Sequence, residues 1–371
     1  MKEIFKYFYL YFRKCFLYFL SIFLFHKKKT PGRFPDEIKK ALFIRIDRIG
    51  DLVLSTPALK AFKNHFPDCE LSVLASKSNR QVLLNFPYVD NIITYDHDQN
   101  ITKKLSTLRR LRKDSYDLVV DPYSGYELKT ALIAAYSLAT IRLGYASYGR
   151  EVFFNVTATS PGNDFHFKDV VLNVLKPLGV EKVTSTPEIC LSEAEKNWSL
   201  KWIEQNQIGS KPIVGIHPGA YYESQRWLPE HFADLINKIN EQKKFATVLF
   251  HGPEDIYTVK AIREIIKKNI LTFISHDLRD FLALQSLCNV FICNNSGPLH
   301  LAVAQKIPTI SFMGPSEKWR WMPVGNTHKV FRIDSLPCIG CKKGYCILKT
   351  HDCMRMISPS IVIDALNSCF P

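Results

Sequence analysis

The chain has 371 residues, of which 46% are hydrophobic and 23% are charged. This composition is that of a globular protein, and it excludes a disordered chain, a collagen-like repeat or a coiled coil as the main state. The length predicts about two domains. The net charge of +14 favours anionic ligands or an anionic membrane surface. No motif of a nucleic-acid-binding protein accompanies this charge, so we expect no nucleic acid as a partner.

Residues 1–30 are predicted to associate with a membrane. Residues 4–25 are rich in aromatic and aliphatic side chains, but the longest run without a charge, residues 15–25, has only 11 residues. A spanning helix needs about 20. Residues 1–29 also carry seven basic side chains against one acidic side chain, a net charge of +6. This mixture favours a helix that lies in the membrane interface. A short signal anchor and an ordinary packed helix remain alternatives.

From residue 41 onward, short apolar runs alternate with stretches of helical spacing. Strands are predicted at 41–46, 71–75, 91–95, 117–121, 213–216, 247–250, 271–274, 290–293 and 309–312. Helices are predicted at 53–65, 79–85, 103–113, 127–139, 231–242, 258–268, 280–288 and 298–305. Repeated strand–helix units predict an α/β fold with parallel sheets. Proline and glycine interrupt the pattern around 160–190, which predicts a linker near 182–190 between domains at 40–185 and 190–371.

The first polar loop of the body follows its first predicted strand. In open α/β sheets, ligands bind beyond the carboxyl ends of the strands. Asp51 ends this D-R-I-G-D loop and is expected at the start of the next helix. That position suits either a helix cap or a general base at the mouth of a binding site.

The loops of the second domain carry further candidates. Arg226 precedes a tryptophan and is either a surface charge or a ligand of a phosphate group. The strand-to-helix junction around Ser296 and Gly297 suits a pyrophosphate, although such junctions often serve only as helix caps. Glu254 either binds a sugar hydroxyl or sits in a solvated turn. A well-placed G-x-G-x-x-G or P-loop motif is missing from the sequence, which disfavours nicotinamide dehydrogenases and P-loop phosphotransferases.

Five motifs in order resemble one known family. They are R-x-D-R-I-G-D-L-V-L-S-T-P-A-L (45–59), H-P-G-A (217–220), R-W-L-P-E-H-F (226–232), H-G-P-E-D (251–255) and N-N-S-G-P-L-H-L-A (294–302). Together they are similar to glycosyltransferase family 9, the heptosyltransferases of lipopolysaccharide core assembly. The resemblance runs over about residues 41–366, nearly everything beyond the N-terminal segment.

The resemblance implies a GT-B fold, with two Rossmann-like domains facing a cleft. The first domain is then the acceptor domain and the second binds the nucleotide sugar. It also implies an inverting transfer of heptose, without a metal or other cofactor, from an ADP-activated donor to a lipid-linked saccharide. The general base of the family falls on Asp51, and the cation that contacts the donor phosphates falls on Arg226. The enzyme is then expected at the cytoplasmic face of a bacterial inner membrane.

The remaining donor-binding positions lie in three motifs of the second domain. They are His217, Gly219, Ala220, Glu254, Asn295, Ser296, Gly297 and His300. Many members of the family have Asp-Thr-Gly where this chain has Asn295-Ser296-Gly297, so a negative charge near the donor is missing. A different nucleotide-sugar donor in cell-surface polysaccharide synthesis therefore remains an alternative, as does a sugar-nucleotide binder without catalysis.

Half of the ten cysteines stand close to the C-terminus. Cys338, Cys341, Cys346 and Cys353 lie in a loop at 338–353. A C-x-x-C pair with two further cysteines is compatible with a structural zinc site, although the later spacings are not those of a standard finger. Reduced thiols and disulfides remain alternatives, the latter disfavoured in a cytosolic protein.

Overall fold

A computed structural model describes residues 9, 11–19, 37–95, 98–162, 164–181 and 186–370. The chain forms two compact units, Met1–Ser185 and Thr186–Pro371. Each unit contains one parallel six-stranded sheet with helices packed against it. The predicted α/β fold of the GT-B class, with two doubly wound domains, is confirmed.

The first unit is built from alternating strands and helices. Its strands are β1 Lys40–Arg45, β2 Glu70–Ala75, β3 Asn91–Thr94, β4 Leu118–Asp121, β5 Ile141–Tyr145 and β6 Val156–Ala158. Its helices are α1 Ile49–Val53, α2 Thr56–His65, α3 Ile101–Lys113, α4 Lys129–Tyr136 and α5 Phe167–Asn173. The strand order is β3-β2-β1-β4-β5-β6. β1 is paired with β2 on one edge and with β4 on the other, and its residues from Ala41 onward are buried, as expected of a parallel sheet covered by helices.

The second unit repeats this arrangement. Its strands are β7 Ile213–His217, β8 Ala246–His251, β9 Leu271–Ile274, β10 Val290–Asn294, β11 Thr309–Phe312 and β12 His328–Phe331. Its helices are α6 Glu193–Gln205, α7 Pro229–Gln242, α8 Ile256–Ile265, α9 Leu278–Gln285, α10 Gly297–Ala304, α11 Lys318–Trp321, α12 Asp352–Arg355 and α13 Pro359–Asn367. The strand order is β12-β11-β10-β7-β8-β9, so β7 and β10 are central neighbours.

Each sheet has its own apolar core. In the first unit, Leu42, Ile44 and Val119 belong to one buried cluster. In the second, Val214 and Ile292 belong to another. Burial of these side chains is the main favourable contribution to the stability of each unit.

Several predicted boundaries were wrong. The helix expected at 53–65 begins at Thr56, and a separate short helix, Ile49–Val53, forms in residues that were largely predicted as a loop. The helix expected at 79–85 is a 3₁₀ turn, Arg80–Leu83. Strands β5, β6 and β12 were not predicted, since β6 and β12 are edge strands, β5 is next to an edge, and none of the three has a long apolar run to mark it.

The N-terminal segment is described only at residues 9 and 11–19, which are helical. The rest of the predicted segment, and residues 182–185 of the predicted linker, lie outside the described residues. Within the described ranges, the helices are all too short or too polar to cross a membrane.

Candidate functional site

Asp51 lies on α1, directly beyond the carboxyl end of β1. It is the third residue of the helix, and Arg48 holds the N-cap position. The expectation that Asp51 begins the helix was therefore wrong by two residues. Its carboxylate still serves the helix start, because it accepts a hydrogen bond of 3.2 Å from the backbone N–H of Arg48. The helix-capping and the general-base interpretations of Asp51 are thus compatible with one geometry.

A buried arginine organises this loop. The guanidinium of Arg45 is fully buried, 3.1 Å from the carboxylate of Asp47, and donates a 3.0 Å hydrogen bond to the backbone carbonyl of Asp51. A buried guanidinium cannot exchange these bonds for bonds to water, so it holds the loop in this conformation. Sequence reasoning assigned no role to Arg45 or Asp47, although both stand inside the first motif.

The environment of Asp51 raises the pKa of its carboxyl group to about 6. Burial is the main cause, and the negative charge of Asp47 adds to it. The charges of Arg45 and Arg48 and the hydrogen bond from Arg48 act in the opposite direction. A carboxylate with a pKa near 6 is charged at neutral pH but accepts a proton more readily than an ordinary aspartate.

In the second unit, Asn294 joins two of the predicted motifs. This fully buried side chain ends β10. Its amide nitrogen donates to the carbonyls of Pro218, at 2.7 Å, and Gly219, at 3.1 Å. Its amide oxygen accepts from the backbone N–H of Trp227 at 2.8 Å. The loop after β7 and the loop before α7 are thereby held at the carboxyl end of β10. Asn294 was quoted in a motif, but its role was missed because it depends on contacts far apart in sequence.

Arg226 lies against the first of these loops. It is half-buried, and its Nε donates a 2.9 Å hydrogen bond to the carbonyl of Ala220. The next residue, Trp227, is fully buried, stacks on Phe312 at 4.2 Å between ring centroids and donates from its indole N–H to the carbonyl of Ile357. The buried tryptophan anchors the backbone, so the position of Arg226 beside Ala220 is fixed by the fold.

The motif after β8 contributes Asp255 rather than Glu254. Glu254 is exposed, whereas Asp255 is buried and its carboxylate lies 3.5 Å from Nε2 of His217. A side chain on Gly219 would place its Cβ 2.1 Å from the same carboxylate. Burial lowers the pKa of His217, and the charge of Asp255 opposes that effect. Asp255 thus packs under the loop that carries His217 and Gly219, which sequence reasoning did not foresee.

The start of α10 adjoins the same corner. Asn295 and His300 are both about 95% buried, while Ser296 and Gly297 are half-buried. Ser296 is the N-cap residue, but its side chain makes no capping hydrogen bond. Pro298 has no N–H and Leu299 donates to the carbonyl of Ser296, so of the first three residues Gly297 has the N–H that a ligand could accept. Among the described residues, the side-chain amide nitrogen of Asn295 and Nδ1 of His217 have no hydrogen-bond partner.

These contacts gather most of the predicted donor residues at one corner of the second unit. A helix N-terminus, a cation and two buried polar atoms without partners form a place suited to an anionic, polar ligand. Glu254 is the exception, because its side chain points into solvent from the 3₁₀ turn Pro253–Asp255.

The cysteine-rich loop packs on the Arg226 segment. Ser224 donates from its hydroxyl to the carbonyl of Lys343 at 2.5 Å and from its N–H to the carbonyl of Gly344 at 3.2 Å. Nε2 of His351 lies 2.9 Å from the carbonyl of Ser224. The loop therefore supports the segment that precedes Arg226.

The structure does not form the zinc site considered from the sequence. All ten cysteines are free. In the part of the chain that the structure describes, no three His, Cys, Asp or Glu side chains are arranged to hold a metal ion. Burial, with smaller effects from Cys338, Cys341 and Cys346, raises the pKa of the Cys353 thiol to about 11.

Two doubly wound units, one with a carboxylate beyond the end of β1 and one with a corner suited to an anionic ligand, are typical of enzymes that bind nucleotides. The chain belongs to glycosyltransferase family 9 (heptosyltransferase), whose sequence profile matches residues 104–351, about two thirds of the chain. The predicted family and the predicted enzyme class, a glycosyltransferase, are confirmed.

Relatives that match most of the chain support this family assignment. The chain is 24% identical over 342 residues to lipooligosaccharide heptosyltransferase 2 of Haemophilus influenzae, covering 86% of this chain and 96% of the relative. Its fold is similar to that of the glycosyl transferase family 9 protein from Veillonella parvula, with a TM-score of 0.78, 22% identity and coverage of 90% and 97% of the two chains. It is also similar to the E. coli ADP-heptose lps heptosyltransferase II, with a TM-score of 0.74, 21% identity and coverage of 89% and 98%.

Proposed function

We propose that this protein transfers heptose from an ADP-activated donor to a lipopolysaccharide core or another lipid-linked saccharide, by an inverting displacement that needs no metal ion. The reaction takes place at the cytoplasmic face of a bacterial inner membrane. Membership of the heptosyltransferase family and the names of the relatives support the sugar and the acceptor class. The observation that carries the mechanism is Asp51, a carboxylate at the end of β1 whose pKa is raised to about 6.

In the proposed step, the oxygen of an acceptor hydroxyl attacks the anomeric carbon of the donor. Its proton passes to the carboxylate of Asp51 as the new C–O bond forms. The bond from the anomeric carbon to the diphosphate breaks on the opposite face, and the electron pair leaves with ADP. One displacement inverts the configuration at this carbon. The guanidinium of Arg226, the N–H of Gly297 and the positive end of the α10 dipole stabilise the charge of the departing diphosphate.

The decisive test is replacement of Asp51 by asparagine. Asparagine preserves the shape and accepts the hydrogen bond from Arg48, but it cannot take a proton. We expect ADP release from ADP-heptose and a lipid-linked acceptor to fall by about 10²- to 10⁴-fold. Asp68→Asn is the control, because Asp68 is an exposed aspartate of the same unit outside the site.

The same variant separates catalysis from folding. The raised pKa means that the folded protein binds the Asp51 proton more tightly than the unfolded chain, so the carboxylate costs stability above pH 6. The asparagine variant should therefore unfold at the same or a higher temperature than the parent at pH 7. Activity retained within a factor of three would refute Asp51 as the base. Donor binding with no turnover by the parent, across a range of acceptors, would favour a binder without catalysis.

Asn295 supports a second candidate, a different nucleotide-sugar donor. Its buried amide nitrogen lacks a partner among the described residues, so a ligand with an acceptor atom at this point would satisfy it. Calorimetry with ADP, UDP, GDP and their sugars distinguishes the two candidates. Selectivity for ADP supports the heptose donor. A tighter complex with UDP or GDP would assign the enzyme to another pathway of cell-surface polysaccharide synthesis.

A further inference from the structure

The helical residues 11–19 dock on the first unit through their polar side. Arg13 donates a 2.6 Å hydrogen bond to the carbonyl of Tyr126, and its guanidinium lies 3.7 Å from the centre of the Tyr126 ring. Lys14 forms a 2.8 Å ion pair with Glu151. Leu17 is the one fully enclosed apolar side chain among the described residues of this segment, with 4% exposure. Two cations and one leucine therefore make the contact with the body of the protein.

A glycine of the first unit lies directly beneath the helix. Cα of Lys14 and a methyl carbon of Leu17 lie 3.4 Å from the position of a Cβ on Gly149, which is ordinary van der Waals contact. Glycine is favoured here by its φ of +82° rather than by lack of space. The loop after β5 therefore packs its backbone against this helix.

The opposite side of the segment exposes a row of large rings. Tyr11, Phe12, Phe16, Tyr18 and Phe19 are between 47% and 70% exposed. Tyr9 stacks on Tyr126 and Tyr126 contacts Tyr148, and these three rings are also more than 40% exposed. We call the five rings between residues 11 and 19 the aromatic surface. An amphipathic helix of a soluble domain normally turns its apolar face inward, so an outward aromatic face indicates another apolar partner.

We infer that the aromatic surface binds an anionic lipid bilayer and turns the Asp51 end of the first unit toward it. The charge of the segment selects this partner. Without Arg13 and Lys14, which contact the first unit, residues 1–29 have five basic side chains and one acidic one, a net charge of +4 that attracts anionic headgroups. A symmetric contact between two copies would instead bring these like charges together, which is unfavourable. Tyrosine and phenylalanine also suit the membrane interface, since tyrosine rings keep a polar atom in water.

The topology gives the surface its direction. Tyr126 follows β4 and Tyr148 follows β5, while Asp51 follows β1. These three strands are parallel neighbours in the order β1-β4-β5, so their following loops lie at one edge of the sheet. Neighbouring strands are about 5 Å apart, which places the loops within about 10 Å laterally. The part of this inference that concerns the acceptor rests on the proposed function. If the acceptor is a lipid-linked saccharide, this orientation presents it to Asp51 while its lipid stays in the bilayer.

The test compares two triple variants of the full chain by vesicle flotation. In the first variant, Phe12, Phe16 and Phe19, which share one stripe of the helix, are replaced by serine. In the control, serine replaces three side chains of the second unit with similar exposure, Leu200, Tyr257 and Ile265. The vesicles are phosphatidylcholine alone or with one third phosphatidylglycerol.

We expect the parent and the control to bind the anionic vesicles, and to bind more weakly in high salt. The Phe12, Phe16 and Phe19 variant should bind at least about tenfold more weakly, because three rings no longer enter the interface. Equal binding by both variants would overturn the inference. A second result would also overturn it. If the parent does not bind vesicles but sediments as a dimer, and the aromatic variant sediments as a monomer, the surface pairs two copies of the chain.

A transfer assay keeps this inference apart from the proposed function. With an acceptor embedded in anionic vesicles, the aromatic variant should lose activity in proportion to its binding. With a delipidated, soluble acceptor it should match the parent. Equal loss on both acceptors would overturn the orienting role of the surface. Normal vesicle binding with no transfer to either acceptor would instead reject the proposed function and leave the lipid contact standing.

Discussion

At the scale of single residues, Asp51 and Asp47 form one electrostatic unit. Asp47 lies in the loop after β1 and Asp51 on α1, and the buried Arg45 contacts the Asp47 carboxylate at 3.1 Å and the backbone carbonyl of Asp51 at 3.0 Å. Burial and the charge of Asp47 both raise the pKa of Asp51, to about 6. A base with this pKa loses activity as it is protonated, so kcat/KM should fall below about pH 6.

Asp47→Asn removes the neighbouring charge and should lower the pKa of Asp51. The acid limb of the kcat/KM profile should therefore move to lower pH, while activity at pH 8 changes little. Initial rates of ADP release between pH 4.5 and 8.5 measure this. A limb that stays in place or moves to higher pH would show that Asp47 does not set the basicity of Asp51.

Gly219 provides a second test at this scale. A methyl group there would meet the Asp255 carboxylate at 2.1 to 2.5 Å, whereas at Gly252 the nearest such atom is 3.8 Å away. Gly219→Ala should displace the loop that carries His217 and weaken ADP binding about tenfold or more, and Gly252→Ala should not. Calorimetric titration with ADP compares the two. Equal affinities would mean that the β7 loop does not contact the donor.

At the scale of elements, α6 is tied to α9 by one partly buried ion pair. Arg279 contacts both carboxylate oxygens of Glu195, at 2.6 and 2.8 Å, and Glu195 also accepts from the N–H of Ser192 at 2.7 Å. These bonds, with the Arg279 bond the largest cause, lower the pKa of Glu195 to about 2. The first helix of the second unit, α6, is thereby fixed to α9.

Glu195→Gln should destabilise the protein by about 1–3 kcal/mol at pH 7, because a bidentate charge pair is lost. A lowered folded-state pKa stabilises above the ordinary value of about 4.5, and the contribution disappears as pH falls toward 2. The difference between variant and parent should therefore shrink below pH 4.5. Urea unfolding at several pH values measures it. Glu193→Gln, on the same turn and 82% exposed, should change little, and an equal effect there would contradict the argument.

At the scale of the whole molecule, the two units have separate cores. A ligand that binds only one of them stabilises that unit by mass action, by about 2.7 kcal/mol at one hundred times its Kd. We therefore expect ADP to slow hydrogen exchange across β7 and β10 in the second unit but not across β1 and β4 in the first. Exchange measured by mass spectrometry, with and without ADP, tests this. Equal protection in both units would mean that the donor site is not confined to the second unit.

Much of this could be predicted from the sequence because the signals are local. Alternating apolar runs and helical spacing predicted the parallel α/β fold, which is confirmed. The polar loops after β1, β7 and β10 were predicted to bind ligands, and that stays a prediction. Central strands are marked in the sequence because they are buried on both faces. The strands that were missed lie at or near the sheet edges, where a short run or a half-polar pattern leaves a weak signal.

The sequence by itself determined the family, the class of fold and the positions of Asp51 and Arg226. Only the tertiary structure decided which side chains assist them. Arg45 holds the backbone of Asp51, and Asp47 raises the pKa of its carboxyl group. Asn294 joins segments 76 and 67 residues away, and Asp255 rather than Glu254 turns inward. These contacts depend on burial and on pairs distant in the chain, and neither has a signature in the local pattern. The direction of the aromatic surface was decided in the same way, because docking through Arg13, Lys14 and Leu17 sets which side of the helix faces outward.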